Sequence, residues 1–391
     1  MKKIIISIII LFVFAVIISD QASAIPSYAR KYDMSCNVCH SPVPKLKPYG
    51  DDFAANGYQL KDKEPPRFAR ETGDDKLLLM RELPLAVRFD GAFRMRPGKD
   101  SVNAKTDIEW PFIMKILSSG QVAKDVSYFF YFLMNERGSL VGIEDAFLYF
   151  NNVGNVDFDI MVGQYQVCDP IFKRELRPMY EDYEIYKVKP GSSMADLTYD
   201  RGLMLSYTLP TGTDIIGSVS NGNGIKPGED FMFDTDPYKN LFFRIAQPID
   251  SNFSIGGLGY YGKEEVGDTI KSKSNIGMGG IDATISYDQV ELSGQFMYRE
   301  DSNPNPVEDK GKIITRGGFA QLMFAPQLDK SDWYIFLMYS RIDSDQEDLK
   351  YHAVAGNFTY LLARNLKLMG EFGYDLERKQ PKLTFGFMTA F

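Results

Sequence analysis

The chain has 391 residues and a formal net charge of −8, with 25% charged residues. This acidity, without a block of Lys or Arg, argues against a nucleic-acid partner. Its three cysteines are too few, and odd in number, for a secreted fold held together by disulfides.

The first 24 residues have the layout of a secretory signal peptide. Lys2 and Lys3 precede an apolar run over residues 4–18, and residues 22–24, Ala-Ser-Ala, supply a cleavage site. An uncleaved membrane anchor is the alternative, but the run is short for a spanning helix. We predict that residues 1–24 are removed and that the mature chain works outside the cytoplasm.

Next along the chain, residues 36–40 read Cys-Asn-Val-Cys-His, the spacing of c-type haem attachment. Two thiols three positions apart can bond two vinyl groups of a porphyrin, and the following histidine then supplies an imidazole to the iron. A Cys-x-x-Cys redox pair normally accompanies a βαβ pattern that is missing here. A zinc site would have only Cys168 or His352 as its fourth ligand. The sequence therefore predicts one covalent haem c, bound by Cys36, Cys39 and His40.

The sequence leaves the second axial ligand of the iron open. His352 is the only other histidine, and Met80 lies at a chain distance typical of a distal methionine. Three further candidates are Met34, Met179 and Met194. Each methionine has the alternative of an ordinary packing residue. A second protein ligand would suit electron transfer, whereas an open position would suit substrate chemistry.

Residues 25–80 form the predicted haem segment, which has too few apolar residues for a core of its own. We expect coil and one short helix, from about Tyr49 to Asn56, with Gly57 as its left-handed cap. The missing apolar surface would come from the haem or from an enclosing partner.

From about Pro84 onward, segments of about ten residues rich in Phe, Tyr, Ile and Val are separated by turn signals. In the last segment, Leu383, Phe385 and Phe387 alternate with Lys382 and Thr384. Sixteen such segments are found. Their approximate spans are 84–96, 106–117, 126–136, 143–153, 156–168, 201–210, 213–222, 240–249, 252–264, 274–287, 290–301, 312–325, 332–343, 349–362, 366–376 and 381–391.

The connections between these segments alternate in length. Tight turns such as Gly154-Asn155 and Thr211-Gly212 alternate with polar loops such as 223–239 and 302–311. This asymmetry, an even strand count and the terminal Phe391 are typical of a bacterial outer-membrane barrel. A secreted soluble β-protein is the alternative. We predict an all-β fold, in which residues 81–391 form a 16-stranded antiparallel transmembrane β-barrel with the haem segment in or at its lumen. Both termini would then be periplasmic.

The longest loop, Asp169 to Asp200, is dense in charged and aromatic residues. It resembles, in position and composition, the loop that narrows the lumen of 16-stranded porins. Its charged residues would then line a constriction. They are Lys173, Arg174, Glu175, Arg177, Glu181 and Asp182. A solvated external cap is the alternative, and Cys168 is expected to be a lone thiol.

Haem attachment followed by a barrel resembles the fused monohaem cytochrome-porin family, which includes the outer-membrane iron oxidases of iron-oxidising bacteria. The similarity of motif lies in "IPSYARKYDMSCNVCH" and "PKLKPYGDDFAANGY". The iron-oxidase branch carries Gln-Thr-Gly after Ala-Arg, where this chain has Lys31-Tyr32-Asp33. The resemblance implies electron transfer in the outer membrane, and the departure bears on specificity for Fe(II).

The leading functional hypothesis is an electron conduit. The hydrocarbon core of a bilayer is about 30 Å thick, so a haem inside the lumen would shorten electron transfer between an extracellular redox substrate and a periplasmic c-type cytochrome. An Fe(II):cytochrome c oxidoreductase is its enzymatic form. The alternative is a solute porin whose haem segment is a plug or sensor, and a haem peroxidase ranks last.

Four acidic loop residues either attract a cation or form a solvated surface. They are Glu229, Asp230, Asp234 and Asp236. The sequence leaves an oligomer such as a trimer open.

Overall fold

The computed structural model describes residues 27–60, 69–97, 105–228, 232–234, 236–267, 271–306 and 311–391. The predicted signal peptide lies outside these residues, as do Glu229 and Asp230 of the acidic loop.

The N-terminal part contains two short helices, α1 (Ser27–Tyr32) and α2 (Pro48–Ala55), with a 3-10 turn at Cys36–Val38 between them. Pro48 suits the first helical position because the backbone N–H that proline lacks would have no partner there. Beyond α2, Gly57 adopts a φ of 62°, a left-handed conformation that glycine tolerates. The predicted helix is therefore confirmed, one residue earlier than expected. A two-stranded pair follows, made of β1 (Ala69–Arg70) and β2 (Leu79–Met80).

Sixteen antiparallel strands, β3 to β18, close into one barrel, and β18 pairs with β3 to complete the ring. Their bounds are β3 Leu85–Arg96, β4 Lys105–Ala123, β5 Val126–Glu136, β6 Gly142–Phe150, β7 Phe158–Gln166, β8 Tyr199–Thr208, β9 Asp214–Ser220, β10 Asn240–Pro248, β11 Phe253–Val266, β12 Ser272–Tyr287, β13 Val290–Asp301, β14 Ile313–Phe324, β15 Trp333–Ser344, β16 Tyr351–Ala363, β17 Leu366–Asp375 and β18 Gln380–Ala390. Each strand overlaps its predicted segment, so the predicted fold class is confirmed.

Side chains alternate between the two faces of the barrel wall. On β17, Leu368 and Phe372 are exposed on the outer face, whereas Lys367 and Glu371 are buried on the inner face. This is the period-2 pattern of a strand that separates two different environments. The outer face is apolar and the inner face is largely polar, as the sequence alternation predicts.

Strand β4 is longer than predicted, since it continues to Ala123 instead of ending near residue 117. Its last residues, Ser118-Ser119-Gly120-Gln121-Val122-Ala123, are small or polar and lack apolar alternation. They pair with β5, and the Ser119 side chain contacts the N-terminal segment. Tertiary contacts, which the local pattern does not show, extend this strand.

The two ends of the barrel differ, and we call them the short-turn end and the long-loop end. Turns such as 124–125, 288–289 and 364–365 lie at the short-turn end, where the chain also finishes at Phe391. The backbone of Phe391 exchanges two hydrogen bonds with Val87, which fixes the C-terminus beside the first barrel strand. The longest connection, 167–198, starts from the long-loop end.

Within the described residues, no helix combines the length and the apolar character needed to cross a bilayer.

Candidate functional site

The N-terminal segment, residues 27–60, lies inside the short-turn mouth of the barrel, and we call it the plug. The Ser119 hydroxyl of β4 donates to the Tyr28 oxygen at 2.7 Å. Lys45 pairs with Glu291 of β13 at 2.5 Å, and Lys47 contacts Asp329 at 3.3 Å. Strands β4 and β13 stand almost opposite each other in the ring. The plug therefore spans the lumen.

A small aromatic cluster holds the plug together and attaches it to the barrel. Phe53 is buried, with ring centroids of Tyr28, Tyr32 and Tyr58 at 5.3, 5.7 and 6.0 Å. Tyr58 stacks on Phe129 of β5 at 4.9 Å. The barrel wall thus supplies apolar surface that this short segment lacks, and the expected enclosing partner is the barrel of the same chain.

The five-residue motif forms a tight turn that gathers its reactive groups. The backbone N–H groups of Cys39 and His40 both donate to the Cys36 carbonyl, at 3.2 and 3.0 Å. Both thiols are free and partly exposed. Burial raises the pKa of each thiol, so both are protonated at neutral pH.

His40 has a defined tautomer. Its Nδ1 lies 2.7 Å from the Pro44 carbonyl oxygen, which can only accept, so Nδ1 carries the proton and Nε2 keeps a lone pair. Burial lowers the pKa of His40, and the positive charges of Lys367 and Lys47 lower it further, which keeps the imidazole neutral. Metal-binding histidines commonly donate their other nitrogen to a carbonyl in this way. Two free thiols beside such an imidazole fit covalent attachment of a haem.

The structure does not bring Met80 or His352 to His40. Ser119 points into the lumen, so the next residue of the strand, Gly120, faces the outside of the barrel. A side chain added at Gly120 would meet Met80. Met80 therefore packs on the outside of the wall. His352 lies at the long-loop end of β16, with its ring 5.4 Å from the exposed Tyr339.

The other methionine candidates differ in position. Met34 shares the plug with His40, and its backbone N–H donates to the Ala29 carbonyl at 3.1 Å. Met179 and Met194 lie in the connection 167–198 instead. Of the five candidates, Met34 alone lies in the plug with His40.

The connection 167–198 folds into the lumen, and we call it the lumen loop. Glu175 accepts from Lys115 of β4 at 2.7 Å, and Glu181 pairs with Lys382 of β18 at 3.2 Å. On the other side, Tyr183 stacks on Phe319 of β14 at 4.3 Å. The loop thus contacts several sides of the wall and is not an external cap.

The predicted constriction residues lie together in the lumen. Asp182 pairs with Arg174 at 2.8 Å and with Lys187 at 3.3 Å, and Arg177 approaches it to 3.8 Å. Lys173 lies 3.9 Å from Asp51 of the plug, so the two inserts touch. That these residues form the narrowest part of a pore stays a prediction.

Other residues singled out by the sequence have structural partners. Cys168 is fully buried in the core of the lumen loop, with its sulfur 4.0 Å from Gln166 Oε1. Asp234 pairs with Lys239, and Asp236 accepts backbone N–H groups of Tyr238 and Glu265. These two carboxylates are engaged within the loops. In the described part of the chain, no group of three or more His, Cys, Asp or Glu side chains is arranged to hold a metal ion.

Sequence reasoning missed two inward-facing cations, Arg299 of β13 and Arg88 of β3. Arg299 is 4% exposed and holds the lumen loop, and Arg88 donates to the Glu175 carbonyl at 3.2 Å. The available signal was their place on the polar face of an alternating strand. That signal gives the direction of a side chain but not its partner.

No protein-family model matches the chain, and no curated protein sequence matches it. The barrel is similar to solved porin structures. An anion-selective porin from Comamonas acidovorans has a TM-score of 0.60 at 11% identity, over 79% of this chain and 99% of that one. The trimer form of OmpT from Vibrio cholerae has a TM-score of 0.55 at 8% identity, over 79% and 99%. OmpF of Salmonella typhi, in complex with daunomycin, has a TM-score of 0.55 at 12% identity, over 81% of this chain and 98% of that one. At these identities the likeness concerns the fold.

Proposed function

We propose that this chain is a bacterial outer-membrane barrel of the porin type. The outer wall carries exposed apolar side chains around the ring, including Ile281, Phe296, Leu337, Phe358 and Phe385. Such a surface suits contact with lipid, and a closed ring satisfies its backbone hydrogen bonds without a free edge. The short-turn end, which holds the plug and Phe391, would then face the periplasm.

The function we infer is that of a channel whose periplasmic mouth is occupied by a haem-bearing plug. The observation that carries it is the plug itself, fixed to nearly opposite strands by Ser119 and Glu291. The porin-like fold supports a channel more than it supports the electron conduit expected from the motif. The similar porins include a trimer form, and a trimer of this chain belongs to the proposal.

The plug residues would hold one haem c. Cys36 and Cys39 would form the two thioether bonds, and His40 Nε2 would bind the iron, with its ring oriented by the Pro44 carbonyl. When bound, the haem supplies one-electron oxidation and reduction. The chain's own contribution is to hold the imidazole neutral and to surround the group with the barrel wall.

Electron transfer is the second candidate function, and the position of the motif favours it. A haem at Cys36 and Cys39 would lie inside the barrel, which reduces the distance to a donor or acceptor that enters from the long-loop end. Its partners would be an extracellular redox substrate, with Fe(II) as one candidate, and a periplasmic c-type cytochrome. This follows from the motif and from the resemblance to cytochrome-porin fusions.

One set of variants separates the two functions. The purified protein and its Cys36→Ala/Cys39→Ala variant are compared in planar bilayers and in liposomes that contain a redox dye, with Cys168→Ala as the matched thiol control. A channel gives ion conductance that survives loss of haem. A conduit gives transfer of electrons to the trapped dye, lost in the double variant and kept in Cys168→Ala. Absence of a Soret band from protein made with cytochrome-maturation machinery refutes the haem site.

A further inference from the structure

A buried ammonium group lies beside the plug without a counter-charge. Lys367 of β17 is 2% exposed, and its Nζ approaches the Tyr334 hydroxyl at 3.4 Å. Among the described residues, no carboxylate oxygen lies within 4 Å of this nitrogen. A buried charge is costly unless a partner of opposite charge accompanies it. The barrel wall therefore presents to the lumen a buried amino group that lacks a carboxylate partner.

Other lumenal lysines have carboxylate partners. Lys115 pairs with Glu175 at 2.7 Å, and Lys382, on the next strand, pairs with Glu181 at 3.2 Å. The lack of a partner at Lys367 is thus not a general property of this lumen.

The other charged groups near Lys367 do not neutralise it. They are Arg88, Arg177 and Asp90, so cations outnumber anions. The Asp90 carboxylate already accepts from Arg88 Nη2 at 2.7 Å and from Arg88 Nε at 3.0 Å. With Asp90 occupied by Arg88, none of these groups supplies Lys367 with a free carboxylate.

Lys367 also lies close to the haem motif. The Tyr334 hydroxyl that it contacts donates to the Val43 carbonyl of the plug at 3.1 Å. The next residue, Pro44, accepts the hydrogen bond that orients His40. The ammonium group is therefore two hydrogen bonds from the segment that positions the proximal imidazole.

We propose that Lys367 binds a propionate carboxylate of the haem carried by the plug, with Arg88 and Arg177 adding positive charge. This inference rests on the haem attachment proposed above. Haem carries two propionates, and a charge-assisted hydrogen bond from ammonium to carboxylate is the strong interaction that such a site lacks. Lys367 would thus fix the orientation of the plug-bound haem against the barrel wall.

The pairing predicts that Lys367 has opposite effects with and without haem. In the Cys36→Ala/Cys39→Ala protein the ammonium is an isolated buried charge, so Lys367→Met raises the thermal midpoint of barrel unfolding. In the haem-loaded protein the same substitution leaves a propionate buried without its partner, so it lowers the midpoint. Loss of a positive charge beside the haem also favours Fe(III), so the reduction potential shifts to a more negative value.

The experiment measures unfolding midpoints in detergent for both forms, and the haem potential by redox titration. Lys382→Met is the matched control, and it lowers the midpoint in both forms because its carboxylate partner belongs to the protein. Lys367→Arg retains the charge and keeps the potential near that of wild type.

Two results overturn the inference alone. One is a normal Soret band with an equal effect of Lys367→Met in both forms. The other is that inorganic phosphate stabilises the haem-free protein through Lys367 while Lys367→Met leaves the haem potential unchanged. That result assigns the site to a free anion. Wild-type protein without a Soret band refutes the proposed haem site as well.

Discussion

Gly57 is a plug residue that packs closely against the barrel wall. Its φ is 62°, and a Cβ placed there would lie 2.9 Å from the Asn151 amide nitrogen and would also collide with Ser127. Gly57→Ala therefore combines backbone strain of about 1 kcal/mol with displacement of the plug. We expect faster proteolysis of the plug in detergent. Gly73→Ala is the control, since Gly73 has a φ of 72° and open space around it. Equal proteolysis of the two variants contradicts the prediction.

Asp182 gives a second prediction at the scale of one residue. Burial alone raises the pKa of Asp182, but Arg177 and Arg174 hold it well below its ordinary value. A carboxyl group whose pKa is depressed in the folded state contributes stability that is complete above its unfolded pKa, about 3.9. This stability is lost as the pH falls below that value. The contribution of Asp182 to the protection of the lumen loop is therefore the same at pH 7 and pH 5.

Asp182→Asn removes the anion among three cations and costs about 3 kcal/mol. Hydrogen exchange of the lumen loop, corrected for intrinsic rates, should rise at both pH values. Glu184→Gln is the control, because Glu184 pairs only with the partly exposed Lys187 and such pairs contribute little. Unchanged protection in Asp182→Asn would show that the cluster does not hold the loop.

At the scale of elements, Arg299 of β13 anchors the lumen loop. Its guanidinium donates to the carbonyls of Val188 and Ala195, at 2.7 and 2.8 Å, and to the Ser193 hydroxyl at 2.9 Å. It also binds Asp301 through two nitrogens. Lysine has three donors on one nitrogen and cannot reproduce this set.

Arg299→Lys is expected to release the loop at a cost of about 3 kcal/mol. The measurement is trypsin cleavage after Lys187 in the otherwise folded barrel. Arg316→Lys is the matched control on the neighbouring strand, where the pair with Asp343 is exposed. Cleavage at the wild-type rate in Arg299→Lys would assign the anchoring to the aromatic contacts instead.

The strands could be predicted from the sequence, but the docking of the inserts could not. A strand between lipid and lumen repeats every two residues, so Leu368 and Lys367 show their faces locally. The contact of Lys45 with Glu291 joins positions 246 residues apart, and no local pattern reports it. For the same reason, sequence distance suggested Met80 as a distal ligand, whereas the wall places it on the other face.

The haem motif is a different case, because its chemistry is local. Five consecutive residues contain both thiols and the imidazole, so the sequence alone predicts Cys36, Cys39 and His40 as one site, and this stays a prediction. The hydrogen bond to Pro44 and the proximity of Lys367 depend on the fold. The sequence thus indicates the reactive groups, and the tertiary structure supplies their environment.

At the scale of the whole molecule, the lumen receives one insert from each end. The plug enters from the short-turn end and the lumen loop from the long-loop end, and they meet where Lys173 lies 3.9 Å from Asp51. Any solute or electron carrier that crosses the barrel must pass both inserts. Conductance of the channel should therefore respond to release of either one.

The outer wall supports a prediction about membrane insertion, because one strand offers two exposed positions at different depths. Ile281 lies near the middle of β12 and is 64% exposed, and Tyr287 ends the same strand and is 73% exposed. Arginine on the lipid face costs about 2–4 kcal/mol at the bilayer midplane and about 0–1 kcal/mol near the interface. Ile281→Arg should thus make the free energy of folding into vesicles less favourable by that larger amount, and Tyr287→Arg should change it little.

The measurement is denaturant-dependent folding into phospholipid vesicles, and Tyr287→Arg serves as the internal control for the added charge. Equal costs of the two substitutions in vesicles would mean that β12 does not cross the hydrocarbon core, because the cost of arginine depends on depth only inside a bilayer. The contrast between the two variants thus tests the spanning of the bilayer separately from the haem and from the plug.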